Sequence, residues 1–195
     1  MYKKYVKRGL DIFISGCAII VLAIPMLIIA IVIKLDSPGP ILFKQKRVGI
    51  HKTYFDILKF RTMYTDTPKD APTHELKNAT SHITKVGKFL RKMSLDEIPQ
   101  LFNIFTGQMS LIGPRPALWN QYDLIEERDK YKANDVIPGL TGWAQINGRD
   151  ELEIPVKAKF DGEYVERLSF SFDVKCFIKT IFNVLRKDGI VEGKR

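Results

Sequence analysis

Apolar positions recur with helical or strand period along most of this chain, but one stretch has no polar face at all. Residues 12–33 run 22 positions without a charge, long enough as a helix to cross a hydrocarbon core of roughly 30 Å. Pro25 sits in the middle of the run. Its missing N–H and its clash with the preceding turn predict a kink or break at half depth. Ser37, Pro38, Gly39 and Pro40 then end the segment in a turn.

Downstream, the periods shorten and alternate. Residues 41–46 and 53–60 predict two strands joined as a β-hairpin around Gly49. The polar stretch 64–81, with Pro68 and Pro72, predicts a surface loop. Residues 85–93 read as a basic amphipathic helix with Val86, Phe89 and Leu90 on one side, suited equally to a membrane surface or to solvent. Leu95, Ile98, Leu101, Phe102 and Phe105 repeat at helical spacing, and Gly107 stands where a helix C-terminus favours glycine. Residues 118–134 predict one charged helix. Pro138, Gly139, Gly142, Asn147 and Gly148 predict loops and short strands. Two terminal helices follow at 156–168 and 172–187, the second with Ser171 as N-cap and Gly189 as stop. Its residues Phe172, Phe177, Ile178, Ile181, Phe182 and Leu185 predict a face packed into the core, with membrane contact as the alternative. The fold class is α+β and mainly helical. Residues 1–36 predict a membrane-associated segment, and residues 37–195 a small cytoplasmic domain.

Charge refines the membrane reading. Five cations (Lys3, Lys4, Lys7, Arg8 and Lys34) against Asp11 place +4 of the chain's net +9 in its first 35 residues. Lys44, Lys46, Arg47 and Lys52 follow closely. A spanning helix carries its Lys and Arg excess on one side only, and each cation beside an anionic leaflet is worth about 1 kcal/mol. Cations at both ends, with proline between them, predict a re-entrant helix that dips into one leaflet and returns to the cytoplasmic face. A kinked spanning helix and a buried soluble helix are the alternatives. A cleaved leader is disfavoured, since the run is long and no small-residue cleavage site follows it. The basic residues gather at the apolar run rather than along a stripe with stacking aromatics, which argues against nucleic acid. Cys17 and Cys176 suggest no disulfide framework, and His51, His74 and His82 are isolated surface positions without zinc-ligand spacing. No Walker loop, dinucleotide-binding glycine fingerprint or nucleophile elbow occurs.

Two places can carry chemistry. Asp96 and Glu97 follow Ser94, whose spacing to Glu97 is that of a capping box, so a plain helix start explains them. The competing explanation is a carboxylate nucleophile beside an acid that holds a divalent cation. Pro99 sits awkwardly in a helix capped at Ser94. Arg115 lies between Pro114 and Pro116, whose rings restrict its backbone. A preorganised guanidinium suits two phosphate oxygens, and it suits a structural salt bridge equally well.

The stretches 91–103, 109–116 and 138–149 resemble, in order, the bacterial sugar transferases, the monotopic polyprenol-phosphate phosphoglycosyl transferases. The similarity also takes in Lys7 and Arg8, residues 43–47 and 59–63, and the last helix. The resemblance implies transfer of a phosphosugar from a UDP-sugar to undecaprenyl phosphate with release of UMP, at the cytoplasmic face of the inner membrane. This is the first membrane step of exopolysaccharide, capsule or glycoconjugate assembly. By match, Asp96 is the nucleophile and Glu97 the acid associated with Mg2+. Lys59, Arg61, Arg91 and Arg115 contact phosphates, and Gln145 to Arg149 help form the nucleotide-sugar pocket. Two positions depart from the family pattern. Ile24 replaces a serine before Pro25, and Ile137 stands where an arginine commonly precedes Pro138. A membrane-anchored scaffold and a phosphosugar hydrolase are the other readings. The sequence names neither the sugar nor the oligomeric state, and a homo-oligomer is compatible with it.

Overall fold

The uncharged stretch becomes the body of α1 (Lys7–Asp36), a 30-residue helix entered through a π-helical turn at Tyr2–Val6. The computed structural model describes residues 2–68, 79–148 and 152–186. Arg149, His74 and Gly189, and most of the loop expected at 64–81, lie outside that set. Helical structure continues through Pro25, so the expected break is not seen. Proline withdraws a single donor, the one that would serve the carbonyl four residues back, and tertiary packing on both sides of Pro25 carries the helix across it. Ala18, Ile19 and Leu22 pack on a cluster of Ile57, Leu101, Ile104 and Met109. Met26, Ile29, Ala30 and Ile33 pack on Phe60 and Leu90. This spacing of three and four defines one helix face. Ile20, Val21, Ile24, Leu27, Ile28, Ile31 and Leu35 on other faces remain exposed, Ile20 at 77% and Leu35 at 82%.

Both ends of α1 are fastened to the rest of the chain. Lys7 Nζ donates to Asp173 at 2.7 Å, and Arg8 donates to the carbonyls of Ile104 and Phe105 at 2.6 and 2.7 Å. Asp11, buried within the apolar helix, accepts from the Leu111 amide at 2.9 Å. At the exit, Arg61 donates to the carbonyls of Ser37 and Pro38, and Asp36 accepts from the Val86 amide.

The hairpin forms as expected. β1 (Leu42–Val48) and β2 (Tyr54–Phe60) pair antiparallel, with Leu42 opposite Phe60 and Val48 opposite Tyr54. α2 (Lys85–Lys92) is capped by Thr84, whose hydroxyl accepts from the Gly87 amide at 2.9 Å. Leu90 is buried against α1, whereas Phe89 points outward. α3 (Gln100–Thr106) ends at Gly107, whose φ of 92° supplies the left-handed cap.

A second sheet escapes the periodicity. β3 (Ser110–Ile112) pairs parallel with β4 (Gly139–Thr141), and three-residue strands are too short to show alternation. The single helix expected at 118–134 is instead α4 (Tyr122–Asp129) and a 3₁₀ turn at Ala133–Asp135, separated at Lys132, whose φ is 55°. α5 (Trp143–Ile146), α6 (Ile154–Arg167) and α7 (Phe170–Arg186) complete the chain. Ile112, Trp143, Tyr164, Phe172 and Cys176 form the core between them.

Two expectations for α7 are corrected. Its first turn is capped by Ser169, which accepts from the Phe172 amide, because the helix begins one residue before Ser171. Its apolar face is not in the core. Phe172 and Cys176 are buried, but Phe170, Val174, Phe177, Ile178, Ile181 and Phe182 are exposed. The helix turns only a narrow stripe inward, and the remaining apolar positions form an outward face.

Candidate active site

Ser94 does not cap a helix. It adopts a left-handed conformation with φ 53° and makes no side-chain cap bond, and a 3₁₀ turn at Leu95–Glu97 follows. Pro99 then occupies the N-cap of α3, where it disrupts no internal hydrogen bond. The sharp turn places Asp96 and Glu97 ahead of the helix, and neither side chain serves the helix start. That removes the capping-box explanation.

Glu97 faces two cations instead. Its Oε1 accepts from Lys59 Nζ on β2 at 2.8 Å and from Arg115 Nη2 at 2.6 Å. Burial alone pushes a carboxyl's pKa up, but here Arg115 and Lys59 outweigh it and hold Glu97 well below the usual carboxylate range. Both bonds fall on Oε1. Asp96 is 8% exposed, and among the described residues no donor bonds its carboxylate. Burial raises its pKa, opposed by the fields of Lys59, Arg91 and Arg115 and reinforced by Glu97. Asp96 is thus a buried carboxyl in a field of three cations, without a hydrogen bond among the described residues.

Arg115 reaches the dyad from the loop after β3. Gly113, Gly139 and Gly142 make that approach possible. A Cβ on Gly139 would lie 2.1 Å from the Gly113 amide nitrogen, and one on Gly142 would lie 2.0 Å from the Gly113 carbonyl oxygen. The residues around Gly113 and those around Gly139 therefore meet backbone to backbone, which explains why two separate glycine-bearing stretches belong to one site.

The other sequence candidates divide. Arg91 donates to Thr62 Oγ1 at 3.0 Å and lowers the Asp96 pKa, so it belongs to the dyad's electrostatic surroundings. Arg61 is 5% exposed and directs both terminal nitrogens to the carbonyls at the exit of α1. The structure gives it the role of a clasp on the exit of α1, and it is not among the groups bonded to the dyad. Gln145 is braced by its own loop, its Nε2 donating to the Leu140 carbonyl at 2.9 Å. Its buried Oε1 has no hydrogen-bond partner among the described residues. Residues missed from sequence are Arg128 and Asp161, a buried ion pair behind Arg115. An isolated Arg and Asp 33 positions apart on two helices leave no trace in spacing.

Mg2+ usually takes one or two protein carboxylates and completes its shell with water and substrate phosphates. Asp96 and Glu97 Oε2 fit that donor set. Among the described residues there is no group of three or more His, Cys, Asp or Glu that would form an all-protein cage.

Comparison with known proteins shows the family of the chain. A family model described as bacterial sugar transferase matches residues 2–187. An undecaprenyl-phosphate glucose phosphotransferase of Komagataeibacter xylinus is 40% identical over 185 residues, covering 90% of this chain and 35% of the relative. The uncharacterized sugar transferase EpsL of Bacillus subtilis is 42% identical over 159 residues, covering 82% of this chain and 77% of the relative. A UDP-glucose:undecaprenyl-phosphate glucose-1-phosphate transferase of Escherichia coli is 38% identical over 187 residues, covering 92% and 40% respectively. The chain thus spans well under half the length of the first and third of these.

Proposed function

Because the chain belongs to the bacterial sugar transferase family, we propose that it transfers a phosphosugar from a UDP-sugar to undecaprenyl phosphate, with Asp96 carrying the group between two half-reactions. The observation that carries this reading is the dyad itself: a buried, unbonded Asp96 beside a Glu97 clamped by Lys59 and Arg115.

In the first half-reaction an Asp96 carboxylate oxygen attacks the phosphorus that bears the sugar. An Asp96–phosphorus bond forms, the phosphoanhydride breaks, and UMP departs with the bonding electron pair. In the second, a phosphate oxygen of undecaprenyl phosphate attacks the same phosphorus and frees Asp96. One anhydride is exchanged for another, so the barrier lies mainly in bringing anions together and holding them in line. Lys59, Arg91 and Arg115 supply positive potential at that point, and the Arg115 fork suits two phosphate oxygens. Mg2+ held by Glu97 would neutralise further phosphate charge.

The packing of α1 supports a membrane placement. Its two ends are bonded to the same catalytic body, and its length between them packs on that body. A helix crossing the bilayer in this arrangement would drag the charged strands β1 and β2 into hydrocarbon, at several kcal/mol for each unsatisfied polar group. A re-entrant or in-plane helix satisfies both constraints. The exposed faces of α1 and α7 then enter one cytoplasmic leaflet, and the dyad meets the lipid phosphate at headgroup level.

Incubation with undecaprenyl phosphate, Mg2+ and a panel of UDP-sugars tests the proposal. UMP release with one or a few sugars, abolished by chelation and by Asp96→Asn, is expected. No release with any UDP-sugar would favour a membrane-anchored binding protein instead.

A further inference from the structure

The backbone that presents Arg115 is held at three successive carbonyls by donors from three different elements. The Gly139 amide of β4 donates to the Pro114 carbonyl at 2.8 Å. Arg128 Nη2 of α4 donates to the Arg115 carbonyl at 3.0 Å. Arg47 Nη1 of β1 donates to the Pro116 carbonyl at 3.0 Å. Neither proline has an N–H, so Arg115 carries the only amide donor of the three, and the three carbonyls are the groups by which neighbouring elements hold the segment.

Of these three holds, Arg128 is the most constrained. It is 4% exposed and its partner Asp161 on α6 is 1% exposed. Its Nε and Nη2 both donate to Asp161 Oδ2, at 2.8 and 2.6 Å, while Nη2 also reaches the Arg115 carbonyl. Desolvating a charge pair is costly, and apolar residues of similar volume often serve stability equally well or better. Stability alone is therefore a weak explanation for this pair. What an apolar pair cannot do is donate to the Arg115 carbonyl.

Resting on the function proposed above, we infer that Arg128, oriented by Asp161, is a positioning residue: it fixes the Arg115 backbone so that the guanidinium is aimed at Glu97 and at the phosphates of the substrate. The relay runs from Asp161 to Arg128, through the Arg115 carbonyl, to the bond between Arg115 and Glu97. Arg128 touches no substrate. It acts only through Arg115, and that restriction makes the inference testable.

The first test replaces the whole pair, Arg128→Met with Asp161→Leu, in the full chain. This leaves no buried charge unpaired, so Tm should stay near that of wild type while kcat falls at least tenfold. A variant that melts like wild type and turns over within twofold of it would overturn the inference. Should the apolar pair fold poorly, Arg128→Lys keeps the charge beside Asp161 but lacks a fork to reach both partners. It is then measured in wild-type and Arg115→Gln backgrounds. A residue acting through Arg115 lowers kcat/KM severalfold in the first and by less than twofold in the second. Equal fold losses in both backgrounds would mark general structural damage and overturn the inference. Wild-type chain that releases no UMP would overturn the function itself, and this inference with it, a result distinct from equal losses in an active enzyme.

Discussion

At the scale of single residues, Asp96 and Glu97 show how environment separates two adjacent carboxylates. Arg115 and Lys59 hold Glu97 ionised, whereas burial raises Asp96. For an acid whose folded pKa is raised, ionisation opposes folding at pH values above its unfolded pKa, and this penalty disappears below it. Asp96→Asn should therefore abolish transfer yet raise Tm at neutral pH, with the gain vanishing toward pH 3; thermal melts at several pH values check this. Activity should also fall on acidification at a pH above the ordinary carboxylate range of about 4, as Asp96 takes up its proton. A pH–rate profile with a normal acid limb would contradict the assignment. Arg115→Lys retains the charge but loses the fork, and turnover should drop at least tenfold, about 1.4 kcal/mol. Activity within twofold would return Arg115 to a structural role. From local pattern alone the dyad carried two competing explanations; the family resemblance favoured chemistry, and the left-handed Ser94 with the Glu97 contacts to Lys59 and Arg115 removes the capping box.

At the scale of elements, the hairpin, α2, α6 and the apolar length of α1 were legible because each carries an unambiguous period or cap signal. The parallel pair β3 and β4 was not, since three residues hold no periodicity and the pairing depends on glycines brought together by tertiary contact. The outward face of α7 was misjudged for a different reason: periodicity reports an apolar face but not what covers it. Arg61 lay in a family-like stretch, and its sequence gave no sign that it would turn to the exit of α1. Two charge-assisted hydrogen bonds to Ser37 and Pro38 make Arg61→Met a strongly destabilising change, about 3 kcal/mol or more. The loss should appear in denaturant unfolding, with α1 detaching first at its C-terminal end.

At the scale of the whole molecule, α1 and α7 each carry an exposed apolar face, and the dyad lies on a body bonded to both ends of α1. The membrane reading predicts that cysteines placed at Lys3 and Lys44 label together from the cytoplasmic side of intact cells. Labelling of Lys3→Cys from the periplasm would refute the re-entrant arrangement. All of this serves one central claim, that Asp96 carries the phosphosugar between a soluble donor and a lipid acceptor. The most direct measurement is mass spectrometry of enzyme quenched after exposure to UDP-sugar and Mg2+ without undecaprenyl phosphate. The account predicts one phosphosugar on the peptide containing Asp96, formed with stoichiometric UMP and discharged when the lipid phosphate is added. An active enzyme that never shows the adduct, and that releases UMP only when both substrates are present, would contradict it.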